Sequence, residues 1–154
     1  MYKLSELLPH KNPMLLLNDV VDYSLSDRTL TAKVVISPDS LFFDKKINGV
    51  SAEISLEYMA QTIGCMAGIY DLSKNPEQLP KVGFVLGSRR IENFIGVFEC
   101  GKTYLVKIKE LFFDENLASF DCVIYDDMQQ IVSTGVLNAY RPDSIEKFME
   151  ELHD

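Results

Sequence analysis

At 154 residues the chain is long enough for one domain, residues 1–154, with a full core. Hydrophobic residues at 47% and charged residues at 25% match a globular protein, and no apolar run reaches the roughly 18 residues of a membrane span. The formal net charge of −8 excludes a nucleic-acid partner, whose phosphates need a basic face. Cys65, Cys100 and Cys122 are an odd number without metal-type spacing and read as buried, reduced thiols. With only His10 and His153 as imidazoles, neither a metal site nor a cofactor is expected. Met1 to Glu6 lacks the apolar core of an export signal, so a cytoplasmic location is expected.

In chain order, Lys3 to Leu8 reads as a short helical turn. Two prolines then bracket an irregular loop, Pro9 to Pro13, which carries His10. Met14 to Tyr23 is apolar and reads as a buried strand. Leu30, Ala32, Val34 and Ile36 alternate with outward positions, the period of a strand with one face in the core. Leu41 to Asp44 reads as a short apolar loop.

A long helix is predicted over residues 51–73. Ile54, Met59, Ala60, Ile63, Ala67 and Tyr70 recur at three-to-four-residue spacing. Ser51 is placed to cap it, Glu53 to meet its positive end, and Asn75-Pro76 to stop it. The helix is apolar on several sides, and its exceptions are Glu53, Glu57 and Gln61, spaced four apart as one polar stripe. Glu57, flanked by Ile54, Leu56, Tyr58, Met59 and Ala60, is expected in apolar surroundings, where a carboxyl is a candidate acid or base. Gly64 and Gly68 each cost about 1 kcal/mol of helix stability relative to alanine, which implies a close approach there.

Lys74 to Lys81 is polar and proline-containing, a surface loop. Val82 to Glu92 reads as a strand with a bulge at Gly87. Asn93 to Gly101 is less regular. Thr103 to Phe113, Leu117 to Tyr125 and Gln130 to Arg141 read as three more strands joined by turns, and Ser144 to Asp154 as a terminal helix. Short turns imply antiparallel neighbours. One antiparallel sheet and one apolar helix bury each other when the sheet curls around the helix, so the expected class is α+β with the hot-dog fold. Exposed sheet edges then call for pairing, as a homodimer or with a related chain.

Residues 8–17, LPHKNPMLLL, and 56–61, LEYMAQ, resemble the opening motif and the start of the central helix in 3-hydroxyacyl-[acyl-carrier-protein] dehydratases. Residues 83–90, GFVLGSRR, are closer to the dehydratase-like proteins of aryl polyene biosynthesis. The three motifs run in register over most of the chain. The resemblance implies a dehydratase of fatty-acid or polyketide type, acting on thioesters of acyl carrier protein or coenzyme A, with Glu57 in the position of the family's catalytic acid. The family's Gly-His-Phe-Pro histidine is missing: Phe42-Phe43 leads into Asp44 to Gly49 without an imidazole.

Dehydration needs a base for the proton beside the carbonyl, an acid for the departing hydroxyl and donors at the thioester oxygen. His10 is the sequence's candidate base, against a structural role where the strand begins. Backbone amides at Gly49 and Val50 are candidates to polarise the oxygen. Met59, Ile63, Met66, Phe84 and Leu86 would line a groove along Gly64 and Gly68 for the acyl chain, or else simply form core. Arg89 and Arg90 would face solvent or an interface, or meet a carrier's phosphate. Two other readings stand beside the enzyme: a non-catalytic helper in a heterodimer with a complete dehydratase, and a thioesterase using Glu57 or Glu53 with water.

Overall fold

The computed structural model describes residues 2–9, 14–77, 85–114 and 117–140. Helix α1 (Leu4–Leu7) comes first, then strands β1 (Asp19–Ser24), β2 (Thr29–Val35), β3 (Phe43–Asp44) and β4 (Gly49–Ser51). A single 3-10 turn, Ala52–Ile54, leads into helix α2 (Ser55–Lys74). Strands β5 (Val85–Asn93), β6 (Val97–Glu99), β7 (Thr103–Asp114), β8 (Leu117–Tyr125) and β9 (Ile131–Tyr140) follow.

Six strands form one antiparallel sheet in the order β1-β2-β7-β8-β9-β5. In β2 the alternation is complete: Leu30, Ala32 and Val34 are buried, while Thr29, Thr31, Lys33 and Val35 are partly open. The buried faces of β2, β7 and β8 pack on α2. Leu30, Val106, Ile108 and Ile124 there meet the same core as Met59, Ile63, Met66 and Ile69 of the helix. Such burial is worth roughly 1.5–3 kcal/mol per large apolar side chain. The thiols of Cys65 and Cys122 lie in this core, and burial pushes both up to about 12. Cys100 is only half-buried, and all three thiols are free.

The helix stands where the sequence places it. Ser51 Oγ accepts from the Glu53 amide at 3.4 Å, and Asn75 closes the last turn by donating its amide to Asp71. The bulge expected at Gly87 is present: Leu86 faces Ala139 and Arg89 faces Leu137, so β5 carries one extra residue.

Three readings are corrected. Met14 to Asn18 precedes β1 and is not part of that strand: Gln61 bonds the backbone of Met14 and Leu16 instead, as described below, and only Asn18 donates its amide to β2, at Lys33. Leu41 to Asp44 and Asn93 to Gly101 contain β3 and β6, which flank β4 in a second, three-stranded sheet. Strands of two or three residues have no length over which alternation can show. The terminal helix expected over Ser144 to Asp154 lies outside the described residues.

Candidate functional site

Glu57 lies in the first turn of α2 and is exposed, which corrects the expectation of an apolar setting within one chain. Its chain neighbours Tyr58 and Met59 are 3% and 0% exposed, so they face the core while the carboxylate faces out. The uncovered side of the helix continues from Glu53 and Glu57 through the half-open Leu56, Ala60 and Ala67, at helical spacing. An acid thus stands among apolar side chains that the chain itself leaves partly open.

Gln61, one turn on, does not belong to a solvated stripe: it is 8% exposed and bonded at both ends of its side-chain amide. Its Nε2 donates to the Met14 carbonyl at 2.8 Å, and its Oε1 accepts from the Leu16 amide at 2.9 Å. One side-chain amide thereby stands in for a strand neighbour and holds Met14 to Leu16 against α2. Sequence spacing gives no sign of this, because the partner groups are backbone atoms 45 and 47 positions away.

The start of α2 is tied to the sheet by a second polar group. Ser55 Oγ donates to Asn93 Oδ1 at 2.9 Å, and Ser133 Oγ donates to the same oxygen at 2.6 Å. Both serines are buried, at 1% and 0% exposure, so they fix the helix start against the ends of β5 and β9.

The remaining sequence-predicted residues fall as follows. Gly49 and Val50 are buried in β4, the middle strand of the small sheet, paired with β3 on one side and β6 on the other. A Cβ on Gly49 would run into the Phe98 carbonyl oxygen, so only glycine allows β6 this close. Met59 and Ile63 are core, at 0% and 2% exposure. The groove expected at Gly68 is filled: a Cβ there would lie 2.7 Å from the Leu7 carbonyl oxygen and 2.9 Å from Leu7 Cα. The glycine exists to let α1 lie on the backbone of α2. Arg90 is exposed on β5. His10 and Phe84 lie outside the described residues, as does the side chain of Leu86.

A buried carboxylate that sequence reasoning passed over is Glu110 of β7, 7% exposed. Burial pushes its carboxyl up, and the Arg28 guanidinium at 4.0 Å draws it partly back. It interacts with Tyr70, thirteen residues along α2 from Glu57, or about 20 Å at 1.5 Å per residue, so it belongs to another part of the molecule. Among the described residues no three His, Cys, Asp or Glu side chains converge as metal ligands would, and no helix is long and apolar enough to cross a membrane.

A long buried helix packed on one antiparallel sheet, with an acid on its first turn, defines a hot-dog protein. The backbone is similar to the dehydratase heterocomplex ApeI:P from Xenorhabdus doucetiae, at 25% identity and a TM-score of 0.87, covering 100% of this chain and 99% of that one. It is also similar to the PaaI protein of the E. coli phenylacetic acid degradation operon, at 10% identity and a TM-score of 0.59, covering 80% of this chain and 82% of that one. A hypothetical thioesterase of Streptococcus pneumoniae, solved with coenzyme A, matches at 8% identity and a TM-score of 0.58, covering 79% of this chain and 83% of that one. Comparison with curated proteins gives no match. The sequence matches the ApeP-like family, described as ApeP dehydratase, over residues 2–150. The chain belongs to the ApeP-like dehydratase family.

Proposed function

We propose that the chain dehydrates 3-hydroxyacyl thioesters carried on acyl carrier protein or coenzyme A, in a cytoplasmic assembly with a second dehydratase chain. The observation that carries this reading is the position of Glu57: a carboxylate on the first turn of a buried helix, on the side the chain leaves uncovered. A second chain packed on that side would close the acid off from bulk water, as a site for acyl thioesters requires. The likeness to a dehydratase heterocomplex and the position of β5 at the edge of the sheet, paired on one side only among the described residues, support such pairing.

In the reaction, a base removes the proton from C2 and the C3–O bond breaks. Glu57 gives its proton to the departing hydroxyl, which leaves as water, and a C2=C3 double bond remains. His10 is the proposed base. It stands four residues before Met14, a span of at most about 14 Å, and Met14 is held by Gln61 one turn from Glu57. Backbone amides near the start of α2, beyond the paired Gly49 and Val50, would polarise the thioester oxygen.

Glu57→Gln keeps the shape and removes the acidic proton. Formation of the 2,3-enoyl thioester, followed with the partner present, should fall about a hundredfold to ten-thousandfold. His10→Ala should cost a similar factor. The missing histidine after Phe42-Phe43 favours one second reading, a helper subunit that shapes a complete partner. In that case partner activity would be unaffected by Glu57→Gln. Release of free acid instead of enoyl product would point to a thioesterase.

A further inference from the structure

Ser55 opens α2 two residues before Glu57, and a serine is an uneconomical choice there. It is 1% exposed, at a position where alanine would pack without any polar cost. Ser51 already caps the turn before it, so Ser55 is not needed as a cap. Its hydroxyl instead donates to Asn93 Oδ1 at 2.9 Å, and Ser133 Oγ donates to the same oxygen at 2.6 Å. Asn93 closes β5 and stands opposite Ser133 of β9 in the sheet register. One neutral oxygen thus links the helix to two strands.

Two further contacts locate the same stretch of chain. The Ala52 amide donates to the Gly96 carbonyl at 3.0 Å. A Cβ on Gly135 would lie 2.9 Å from Met59 Sδ, so the backbone of β9 presses on α2 there. Glu57 falls between Ser55 and Met59, with its own carboxylate facing out. Apolar packing at Met59 is non-directional and lets the helix roll about its axis, whereas a hydrogen bond at Ser55 resists the roll. The leverage on Glu57 is large. A carboxylate stands about 6 Å from the helix axis, so a roll of about 10° moves it by about 1 Å. A displacement of that size at a reacting group costs up to about a hundredfold in rate.

We propose that Asn93 is a positioning residue: through Ser55 it sets the roll of α2, and thereby the direction in which Glu57 meets the substrate. The role rests on the dehydratase reading, and the test separates the two. Turnover of a 3-hydroxybutyryl pantetheine thioester would be followed with the partner present, well below the melting temperature of every variant. Asn93→Leu, which removes the shared oxygen, should lower kcat about tenfold to a hundredfold with KM within about twofold. Asn93→Asp keeps an oxygen for both hydroxyls and should hold kcat within about threefold of the parent. Ser55→Ala cuts the link from the helix side, leaves Ser133 bonded and favours the helix, so it gives the same reading where Asn93→Leu fails to fold; its kcat should fall as for Asn93→Leu. Circular dichroism checks that each variant is folded. In a Glu57→Gln background, Ser55→Ala should cost less than about twofold more, because no acid remains to be aimed. Additive losses in that background, a change in KM alone, an Asn93→Asp variant as slow as Asn93→Leu, or an unchanged kcat in Ser55→Ala would each overturn the proposal. Enoyl formation unchanged by Glu57→Gln itself would overturn the dehydratase reading and the positioning role together, whereas a large Glu57→Gln effect beside an unchanged Ser55→Ala rate would overturn the positioning role alone.

Discussion

Replacing Gln61 with leucine keeps the side chain's approximate volume and removes both of its hydrogen bonds. The bonds measure 2.8 and 2.9 Å, and each would be worth about 0.5–1.5 kcal/mol net. The loss also strands the Leu16 amide and the Met14 carbonyl. The site is part-buried, so water recovers some of that cost, and about 2–3 kcal/mol is the expected total. Leucine burial next to Thr62 and Cys65 returns a fraction of it, but not the ordering of a segment that lacks a strand neighbour. For a chain of this size the melting temperature should fall by roughly 4–12 °C. Urea denaturation gives the free energy, and native-state hydrogen exchange at the Leu16 amide gives the local effect. Protection at Leu16 should drop more than at Val106 in the centre of the sheet. A loss below about 0.5 kcal/mol with unchanged Leu16 protection would refute the claim that one side chain holds this segment.

Gly68→Ala places a methyl 2.7 Å from the Leu7 carbonyl oxygen, so α1 must lift; overpacking of about 1–3 kcal/mol should exceed the gain of about 1 kcal/mol in helix propensity. Thermal unfolding should show a net loss, and a more stable variant would mean that α1 does not rest there. Glu110 gives a pH dependence. Its folded-state carboxyl is raised, so the folded chain keeps the proton to higher pH than the unfolded chain does, and this group's stability contribution is lost as pH rises through that window. Glu110→Gln should therefore be more stable than the parent near neutrality and close to it in acid. The opposite order in urea titrations at the two pH values would show that the pair with Arg28 outweighs the cost of burial.

Most of the long-range architecture could be read from local pattern. The alternation of β2, the cap at Ser51, the stop at Asn75-Pro76 and the bulge at Gly87 each depend on residues within a few positions of one another. Backbone geometry imposes those periods and stops wherever they occur, so sequence alone determined a long buried helix, a mostly antiparallel sheet and the candidacy of Glu57. The sequence did not contain the use made of that helix. Gln61 looked like the next member of a polar stripe, yet it bonds to backbone from the other end of the domain. Gly68 looked like the floor of a groove, yet Leu7 fills it. Glu57 looked enclosed, yet it faces out. Which side of a helix is covered depends on where distant segments return, and hydrogen-bond partners there are chosen by distance in space. Only the tertiary structure decided that the acid would stand on the uncovered side and that Asn93 would meet Ser55 and Ser133 at the start of its helix.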